Sequence, residues 1–256
     1  MANEGRYGVV LGVANRRSIA WAIARRLAAE GVTLGFFVLD ERTERKVAPL
    51  VEGLGGAHRI VRCDVTSDEQ LDAAFAALDA AWDAPLSLCV HSVAFARRED
   101  LEGAFLDTSR DGFRIALEVS AYSLVAVAQR AALRMRDGGA IVTLSYLGAE
   151  RVVPGYNVMG VAKAALEASC RYLAHDLGPR GITVNAISAG PIQTLSARGI
   201  RGFGRMLEHV AQRAPLGRNV TVEEVAATAA FLLGPEARAI TGEVIHVDAG
   251  YHALGM

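Results

Sequence analysis

Tyr156 and Lys163 are the two side chains of this sequence whose types and spacing best suit catalysis. On a helix of about 3.6 residues per turn, a separation of seven residues places both on one face, roughly 10 Å apart along the axis. A phenol there can offer a proton to a substrate oxygen, and an ammonium further along can hold sugar hydroxyls and bias the charge of the phenol. A second tyrosine, Tyr146, precedes the pair.

The segments on either side of Tyr156 place the pair at the start of a helix. Pro154 and Gly155 interrupt the chain immediately before Tyr156, and residues 162–168 are strong helix formers. An apolar strand-like run, Ala140–Leu144, comes shortly before. Taken alone, a tyrosine and a lysine at this spacing are equally compatible with an ordinary helix, so the rest of the chain decides between catalysis and chance.

The rest of the chain predicts a layered α/β protein. Seven apolar runs have the length of strands: Tyr7–Leu11, Thr33–Leu39, His58–Arg62, Leu86–Ser92, Gly139–Ser145, Thr183–Ser188 and Glu243–Asp248. Between them, apolar residues recur at helical spacing over Ile19–Glu30, Glu41–Gly53, Asp68–Trp82, Arg110–Arg136, Val158–Leu177 and Val222–Leu233. This alternation indicates right-handed crossovers and a Rossmann-type doubly wound fold, a seven-stranded parallel sheet with helices on both faces.

No linker or repeat divides the 256 residues, so the sequence predicts a single dinucleotide-binding domain over residues 1–256. The long irregular region Ala189–Val220 contains several glycines and arginines. Loops of this length inside a compact domain are usually functional, so we expect a substrate-binding lid at about residues 190–218.

Composition excludes several other classes of function. A net charge of −1 provides no electrostatic case for binding nucleic acid or a membrane surface, and no uncharged run approaches the ~20 residues of a membrane span. The three cysteines, Cys63, Cys89 and Cys170, are widely spaced and indicate neither a metal site nor a disulfide framework. We therefore expect a cytoplasmic protein without a metal ion.

The turn after the first strand is the expected binding place of a dinucleotide pyrophosphate. Gly12 is its only glycine, because the usual G-x-G-x-x-G pattern is absent. Ser18 follows as a helix cap or a phosphate contact, next to Ile19. A single glycine is weak evidence, and an ordinary strand–helix turn is the alternative interpretation.

Two further strand ends extend the predicted cofactor site. After the third strand, Asp64 and the backbone of Val65 can contact an adenine edge, although Asp64 could also simply start a helix. After the sixth strand, residues 190–191 turn the chain so that Ile192 can meet the nicotinamide carboxamide and Thr194 the pyrophosphate. A Gly-Pro turn is common by itself, but a Gly-Pro turn followed by a threonine three residues after the proline is less common.

Acidic residues after the second strand favour NADH over NADPH. Asp40 and Glu41 can accept hydrogen bonds from ribose hydroxyls and repel a 2′-phosphate, whereas Arg42 and Arg45 would attract one. The sequence therefore predicts NAD as the cofactor, with NADPH as the less favoured alternative.

These features together resemble one known family over nearly the whole chain. The commoner short-chain dehydrogenase pattern is Tyr-x3-Lys, but the fourth residue after Tyr156 is Gly160. Tyr-x6-Lys with an upstream tyrosine is similar instead to the bacterial type II enoyl-acyl-carrier-protein reductases, a divergent branch that uses NADH. Further similar stretches are Gly12–Ala20, Cys63–Val65, His91–Val93, Leu144–Lys163, Val184–Ile192 and Gly242–Asp248.

The resemblance implies reduction of the trans-2 double bond of enoyl thioesters in fatty-acid elongation. By position, Tyr156 would hydrogen-bond the thioester carbonyl, Lys163 would hold the nicotinamide ribose, and Tyr146 would share in proton delivery. Dinucleotide contacts would come from Gly12, Ser18, Ile19, Asp64, Val65, Val93, Lys163, Ile192 and Thr194, and Ala96 would lie beside the substrate. The family is typically tetrameric, so a homotetramer is expected.

The predicted lid combines an apolar face with local positive charge. Ile200, Phe203 and Met206 recur at helical spacing and could form the mouth of an acyl pocket. Arg201 and Arg205 lie four residues apart and could dock the acidic acyl carrier protein, although arginines that solvate an exposed face are the simpler explanation.

Three positions depart from the family pattern. Ala94 replaces a usual glycine, Leu39 replaces a polar residue, and residues 248–250 are Asp-Ala-Gly where the family commonly has Asp-Gly-Gly. None of these changes removes a catalytic group. Two alternatives stay open: a related short-chain reductase that acts on a different carbonyl or enoyl substrate, and a catalytically silent dinucleotide-binding regulator.

Overall fold

A sheet of seven parallel strands forms the centre of the molecule, in a computed structural model that describes residues 5–194 and 203–255. The strands are β1 (Tyr7–Leu11), β2 (Thr33–Val38), β3 (Arg59–Arg62), β4 (Leu86–His91), β5 (Gly139–Ser145), β6 (Ile182–Ala189) and β7 (Val244–Val247). Their order is β3-β2-β1-β4-β5-β6-β7, with parallel neighbours throughout. The predicted doubly wound fold is confirmed.

Helices cover both faces of this sheet. They are α1 (Ile19–Ala29), α2 (Glu41–Glu52), α3 (Asp68–Ala81), α4 (Arg110–Leu117), α5 (Ser123–Arg134), α6 (Asn157–Leu177), α7 (Phe203–Arg213) and α8 (Val222–Leu232). Val10 of β1 belongs to the apolar core under α1, α2 and α8, whereas Val9 and Leu11 belong to the core under α3, α5 and α6. Successive strand residues point to opposite faces of the sheet. Because helices cover both faces, the residues on either side of β1 are apolar. Among the described helices, none has the length and apolar character to cross a membrane.

One expected helix, Arg110–Arg136, is wrong as a continuous element. A π-helical turn at Glu118–Tyr122 separates α4 from α5. The wider turn places Ser120 Oγ within 2.9 Å of the Phe95 nitrogen and 3.0 Å of the Phe95 carbonyl oxygen, beside Met159 of α6. The apolar periodicity of the sequence continues through such a turn, so the sequence pattern alone could not reveal it.

The region Ala189–Val220, expected to be irregular, contains α7. Val210 of this helix is buried, and the Asn219 side-chain amide donates a hydrogen bond of 3.1 Å to the carbonyl of Leu207. Both contacts tie the helix back to the protein. Ile200 and Arg201 lie outside the described residues.

The segment after β7 lies against the loop that follows β5. Arg151 in that loop donates hydrogen bonds to the carbonyls of Leu254 (2.8 Å) and His252 (3.0 Å). The ring of His252 stacks on that of His246 in β7, with centroids 3.9 Å apart. Ala249, where the family pattern has glycine, adopts a φ of 59°, in the left-handed region that favours glycine.

Candidate active site

The strand order reverses between β1 and β4, and this reversal opens a crevice at the carboxyl ends of the two strands. Gly12 follows β1 with a φ of 95°, and a Cβ atom at this position would lie 1.9 Å from the carbonyl oxygen of Ser92. Only glycine therefore allows the two segments to approach each other here. Open doubly wound sheets bind dinucleotides in a crevice of this kind.

The start of α1 offers backbone N–H groups to an anion at the same edge. Ser18 immediately precedes Ile19, the first residue of the helix, but its hydroxyl oxygen accepts the N–H groups of Ala14 (3.0 Å) and Asn15 (3.1 Å) instead of capping the helix. The first turn contains no acidic residue, so nothing in it neutralises the partial positive charge of the helix N-terminus. With Gly12, this turn fits a pyrophosphate.

Charges near the carboxyl end of β2 are largely paired. Arg45 forms an ion pair with Glu41, and Arg62 forms one with Glu44. Asp40 caps α2 through its carboxylate. Because Arg45 already has a carboxylate partner, it attracts a 2′-phosphate less than an unpaired arginine would, which weakens one of the two expected arguments for NADPH.

The other predicted cofactor contacts follow strand ends along the same edge. Asp64 accepts hydrogen bonds from the backbone N–H (2.9 Å) and hydroxyl (2.8 Å) of Thr66, which forms a local turn after β3. Val65 and Val93 pack against one apolar core, and Ile192 packs against the other. The N–H of Thr194 donates to the carbonyl of Ile192 (2.8 Å) and tightens the turn after β6. Within the described ranges, no cluster of side chains suits a metal ion.

Lys163 reaches into the protein interior from α6. It is 6% exposed, and its Nζ donates a hydrogen bond of 2.6 Å to the carbonyl of Leu144 in β5. Burial lowers the pKa of Lys163 to about 8, and the negative charge of Glu167 opposes that fall. An ammonium has three N–H donors, so donors beyond this bond can serve ribose hydroxyls.

Tyr146 and Tyr156 face each other at the start of α6. Their rings meet edge to face, with centroids 4.9 Å apart at 71°. Burial raises the pKa of Tyr146 to about 12, and it raises the pKa of Tyr156 well above its usual value. Both phenols therefore stay protonated at neutral pH and can donate hydrogen bonds to a substrate oxygen.

Two glycines make room for the Tyr156 ring. A Cβ atom at Gly148 would lie 2.4 Å from Cδ1 of Tyr156, and one at Gly160 would lie 2.7 Å from the Gly148 carbonyl oxygen. A larger residue at either position would displace the ring or the start of α6. Backbone packing between α6 and the turn after β5 therefore sets the position of the phenol.

Helix α7, which belongs to the predicted lid, contacts this site. The hydroxyl of Tyr146 donates to Sδ of Met206 at 3.3 Å. Phe203, the first residue of α7, is half-buried. Ala96 packs against a small apolar cluster that includes Val158 and Ala162 of α6. Of the predicted substrate residues, Met206 thus contacts Tyr146 directly, and Ala96 lies against the helix that bears Lys163.

Sequence reasoning missed a set of polar groups behind Lys163. The carboxylate of Glu167, which is 6% exposed, accepts a hydrogen bond from Ser145 at the end of β5. On the solvent side, His246 lies 2.9 Å from the Glu150 carboxylate. The sequence contained one signal for the location of Glu167: it lies four positions after Lys163 and so shares the same face of the helix.

His91 is a second buried polar residue with no predicted role. Its ring nitrogens lie 3.0 Å from the Thr143 hydroxyl and 2.8 Å from the Ser123 hydroxyl. Burial lowers its pKa to about 3, and the positive charge of Lys163 contributes to that shift. The imidazole is therefore neutral, and it joins β4, β5 and α5 as a structural group.

A doubly wound sheet that presents a tyrosine and a lysine of one helix to its dinucleotide crevice defines an oxidoreductase similar to the short-chain dehydrogenases. The similarity to known proteins is more specific. The chain belongs to the enoyl-(acyl carrier protein) reductase family, whose model matches residues 12–252.

Individual relatives match over almost the whole chain. The NADH-named enoyl-[acyl-carrier-protein] reductase of Bacillus cereus is 55% identical over 253 residues, 98% of each protein. A crystal structure of the Bacillus cereus reductase with NADP+ and indole naphthyridinone has a TM-score of 0.96 and 54% identity, and the match covers 98% of both chains. The reductase of Anaplasma phagocytophilum in complex with NAD has a TM-score of 0.95 and 46% identity, and the match covers 100% of this chain and 97% of that one.

Proposed function

We propose that this protein reduces the trans-2 double bond of enoyl-acyl-carrier-protein thioesters with NADH, in the fatty-acid elongation cycle of the bacterial type II pathway. The observation that carries the proposal is the edge-to-face pair of Tyr146 and Tyr156 at the start of the helix that bears Lys163. Similarity over almost the full chain to proteins named enoyl reductases supports it.

The residues of the chain act mainly on negative charge that develops at the thioester oxygen. When bound, the nicotinamide supplies the hydride that adds to the β-carbon. Tyr156 donates a hydrogen bond to the carbonyl oxygen as it becomes an enolate, and Tyr146 stands beside it as a second donor. Lys163 contributes positive charge and holds the ribose. Protonation of the α-carbon completes the reduction, and acid assistance of this kind is worth about 10²–10⁴-fold in rate.

The residues that would hold NADH follow the carboxyl edge of the sheet. In order along the cofactor they are Asp64 and Val65 for the adenine, Gly12, Ser18, Ile19 and Thr194 for the pyrophosphate, Lys163 for the ribose, and Val93 and Ile192 for the nicotinamide. The glycine cradle at Gly12 and the unneutralised start of α1 support this placement.

The acyl group would lie between the tyrosines and a lid formed by residues 190–218 of a single-domain protein. Proposed contacts are Ala96, Tyr146, Tyr156, Ile200, Phe203 and Met206. The hydrogen bond between Tyr146 and Met206 supports a lid whose position depends on whether the site is occupied. Arg205 is exposed on α7, and with Arg201 it would dock the acyl carrier protein near the entrance.

Exposed apolar residues on α5 and α6 support a homotetramer. Leu133 and Tyr172 are 67% and 76% exposed, and Tyr122, in the π-helical turn before α5, is 57% exposed. Large apolar side chains in such positions suit contact with further copies of the chain. Light scattering should give the mass of four chains, and Tyr172→Glu combined with Leu133→Glu should lower it.

We also propose a cytoplasmic location. Cys63, Cys89 and Cys170 are free and buried, and burial raises the pKa of each thiol to about 12. Inert, unpaired thiols are usual in a reducing compartment.

The decisive experiment follows NADH absorbance with crotonyl and longer enoyl thioesters. Simple ketones serve as the comparison substrates. Rapid oxidation of NADH with the enoyl thioesters alone is expected. Turnover of ketones instead would indicate a related reductase with another substrate. NADH binding without turnover of either class would indicate a silent regulator.

A further inference from the structure

Glu167 is a buried carboxylate one helical turn beyond Lys163, and the chemistry described above leaves it without a role. Both side chains are 6% exposed. Burying an ionised carboxylate is costly unless other groups stabilise its charge. A charged residue in this position therefore needs an explanation beyond packing.

Two consecutive residues of β5 hold this pair of charges. The carbonyl of Leu144 accepts a hydrogen bond of 2.6 Å from the Lys163 ammonium. The hydroxyl of the next residue, Ser145, donates a hydrogen bond to the Glu167 carboxylate. Lys163 and Glu167 lie four residues apart on α6 and so share one face of the helix. The end of β5 thus anchors an ammonium and a carboxylate that lie one helical turn apart on the same face of α6, immediately before Tyr146.

The charged and titratable groups that act on this pair come from every side. They are Tyr156 immediately before α6, Arg171 on α6, Glu150 after β5, His91 in β4 and His246 in β7, and Tyr146 acts on Tyr156. Burial raises the pKa of Glu167, the Ser145 hydrogen bond opposes that rise, Glu150 adds to it, and His246 and Arg171 oppose it. Glu167 is in turn the negative charge that favours the protonated form of Lys163.

We propose that Glu167 is a positioning residue for the reduction: its carboxylate keeps the Lys163 ammonium charged at mildly alkaline pH, so that the ammonium can hold the cofactor ribose. The inference rests on the role proposed above for Lys163. Ser145 holds the carboxylate in place through its hydrogen bond, and the negative charge of Glu167 favours the protonated form of Lys163.

The expected consequence is a change in pH dependence. With its pKa lowered by burial to about 8, Lys163 loses its charge progressively as the pH rises through that value. An opposite charge nearby typically moves a pKa by about 1–3 units when it lies within about 6 Å, and less when it is more distant. Removing the Glu167 charge should therefore move the alkaline limb of NADH binding about one pH unit lower.

The test compares Glu167→Gln with Ser145→Ala. The amide of Glu167→Gln keeps the size of the side chain and an oxygen for Ser145, but it has no charge. NADH affinity and kcat/KM are measured from about pH 6 to about pH 9, on variants with native circular dichroism. Glu167→Gln should match the wild type near the acidic end and bind NADH about tenfold more weakly near the alkaline end. Ser145→Ala removes the hydrogen bond but keeps the charge of Glu167, so it should shift the alkaline limb less than Glu167→Gln does.

Superimposable pH profiles for Glu167→Gln and the wild type would overturn the inference, as would a loss of equal size at every pH. If Glu167→Gln does not fold, Glu167→Asp replaces it, since the shorter side chain draws the charge away from Lys163. An unshifted limb in that variant would then count against the inference. Unchanged NADH affinity in Lys163→Ala would instead contradict the role of Lys163 itself, so the two failures are distinguishable.

Discussion

In the mechanism proposed above, the phenol of Tyr156 acts on the substrate and the ammonium of Lys163 acts on the cofactor, so the two tasks should be separable. Lys163→Ala should weaken NADH binding by about 10–100-fold, since a hydrogen bond from a charged group is worth about 1.5–3 kcal/mol. Tyr156→Phe should leave NADH affinity nearly intact and slow hydride transfer by up to about 100-fold. NADH fluorescence and single-turnover absorbance measure the two effects. Equal NADH affinity in Lys163→Ala and the wild type would refute the assigned task of Lys163.

Gly148 sets the position of the Tyr156 ring through a contact that no other residue type can reproduce. Gly148→Ala would place a methyl group 2.4 Å from Cδ1 of Tyr156, so the ring must move. We expect turnover to fall severalfold while NADH affinity is kept. Gly178→Ala is the matched control, because a Cβ atom there meets nothing within 4 Å and its backbone is right-handed helical. Similar turnover in both variants would contradict the positioning role of Gly148.

Single residues were predictable from the sequence where a backbone requirement or a fixed spacing left a signal. Gly12 has such a signal, because a glycine directly after a predicted strand indicates a tight turn, whereas its close approach to Ser92 is visible only in the structure. Glu167, His246 and Glu150 could not be predicted together. They come from α6, β7 and the turn after β5, and only the folded sheet brings those segments to one place.

The helices α6 and α7 contribute in different ways to the site. α6 is firmly held, with Lys163 and Glu167 bonded to β5 and Ser120 against its Met159. α7 is held through its buried Val210, the hydrogen bond from Asn219 to Leu207, the ring contact of His209 with Tyr251 and the contact of Met206 with Tyr146. Segments with few buried contacts open at low free-energy cost, which suits a lid.

Hydrogen exchange should therefore distinguish the two helices. Amides of Phe203–Arg213 should exchange quickly in the free protein and slowly once NAD and an acyl ligand are bound. Amides of α6 serve as the internal control and should be slow in both states. Equally slow exchange of α7 without ligand would contradict a lid.

The elements themselves were largely predictable, and the two departures have different causes. Hydrophobic periodicity located all seven strands to within about two residues, because buried parallel strands are continuously apolar. The π-helical turn at Glu118–Tyr122 was not anticipated, because the apolar pattern hides a local change of hydrogen bonding. The helix Phe203–Arg213 was indicated only by the helical spacing of a few side chains in a region otherwise expected to be irregular, because few of its residues are buried.

Recognition of the carrier protein depends on the surface of the whole molecule, which has a net charge of only −1. Attraction of an acidic partner must then come from local charge. Replacing Arg201 and Arg205 with Glu should raise KM for the carrier-bound enoyl substrate severalfold and flatten its salt dependence. KM for the corresponding coenzyme A thioester should change little, because that substrate makes no protein–protein contact.

Arg59→Glu is the matched control for charge, since Arg59 is exposed on β3, at the edge of the sheet opposite β7. It should leave both KM values unchanged. If the Arg201 and Arg205 replacements raised both KM values equally, the arginines would shape the acyl pocket rather than dock the carrier.

The contact between Arg151 and the segment after β7 has a consequence for how the protein is made. A ribosome produces Tyr146, Tyr156 and Lys163 well before β7 and residues 252–254, and chains begin to fold from their N-terminal parts during synthesis. Until those later residues arrive, Arg151 lacks the two carbonyls that hold the Tyr146 loop, and Glu167 lacks the nearby imidazole of His246. We therefore expect the site to be fully assembled only after β7 and residues 252–254 have been synthesised.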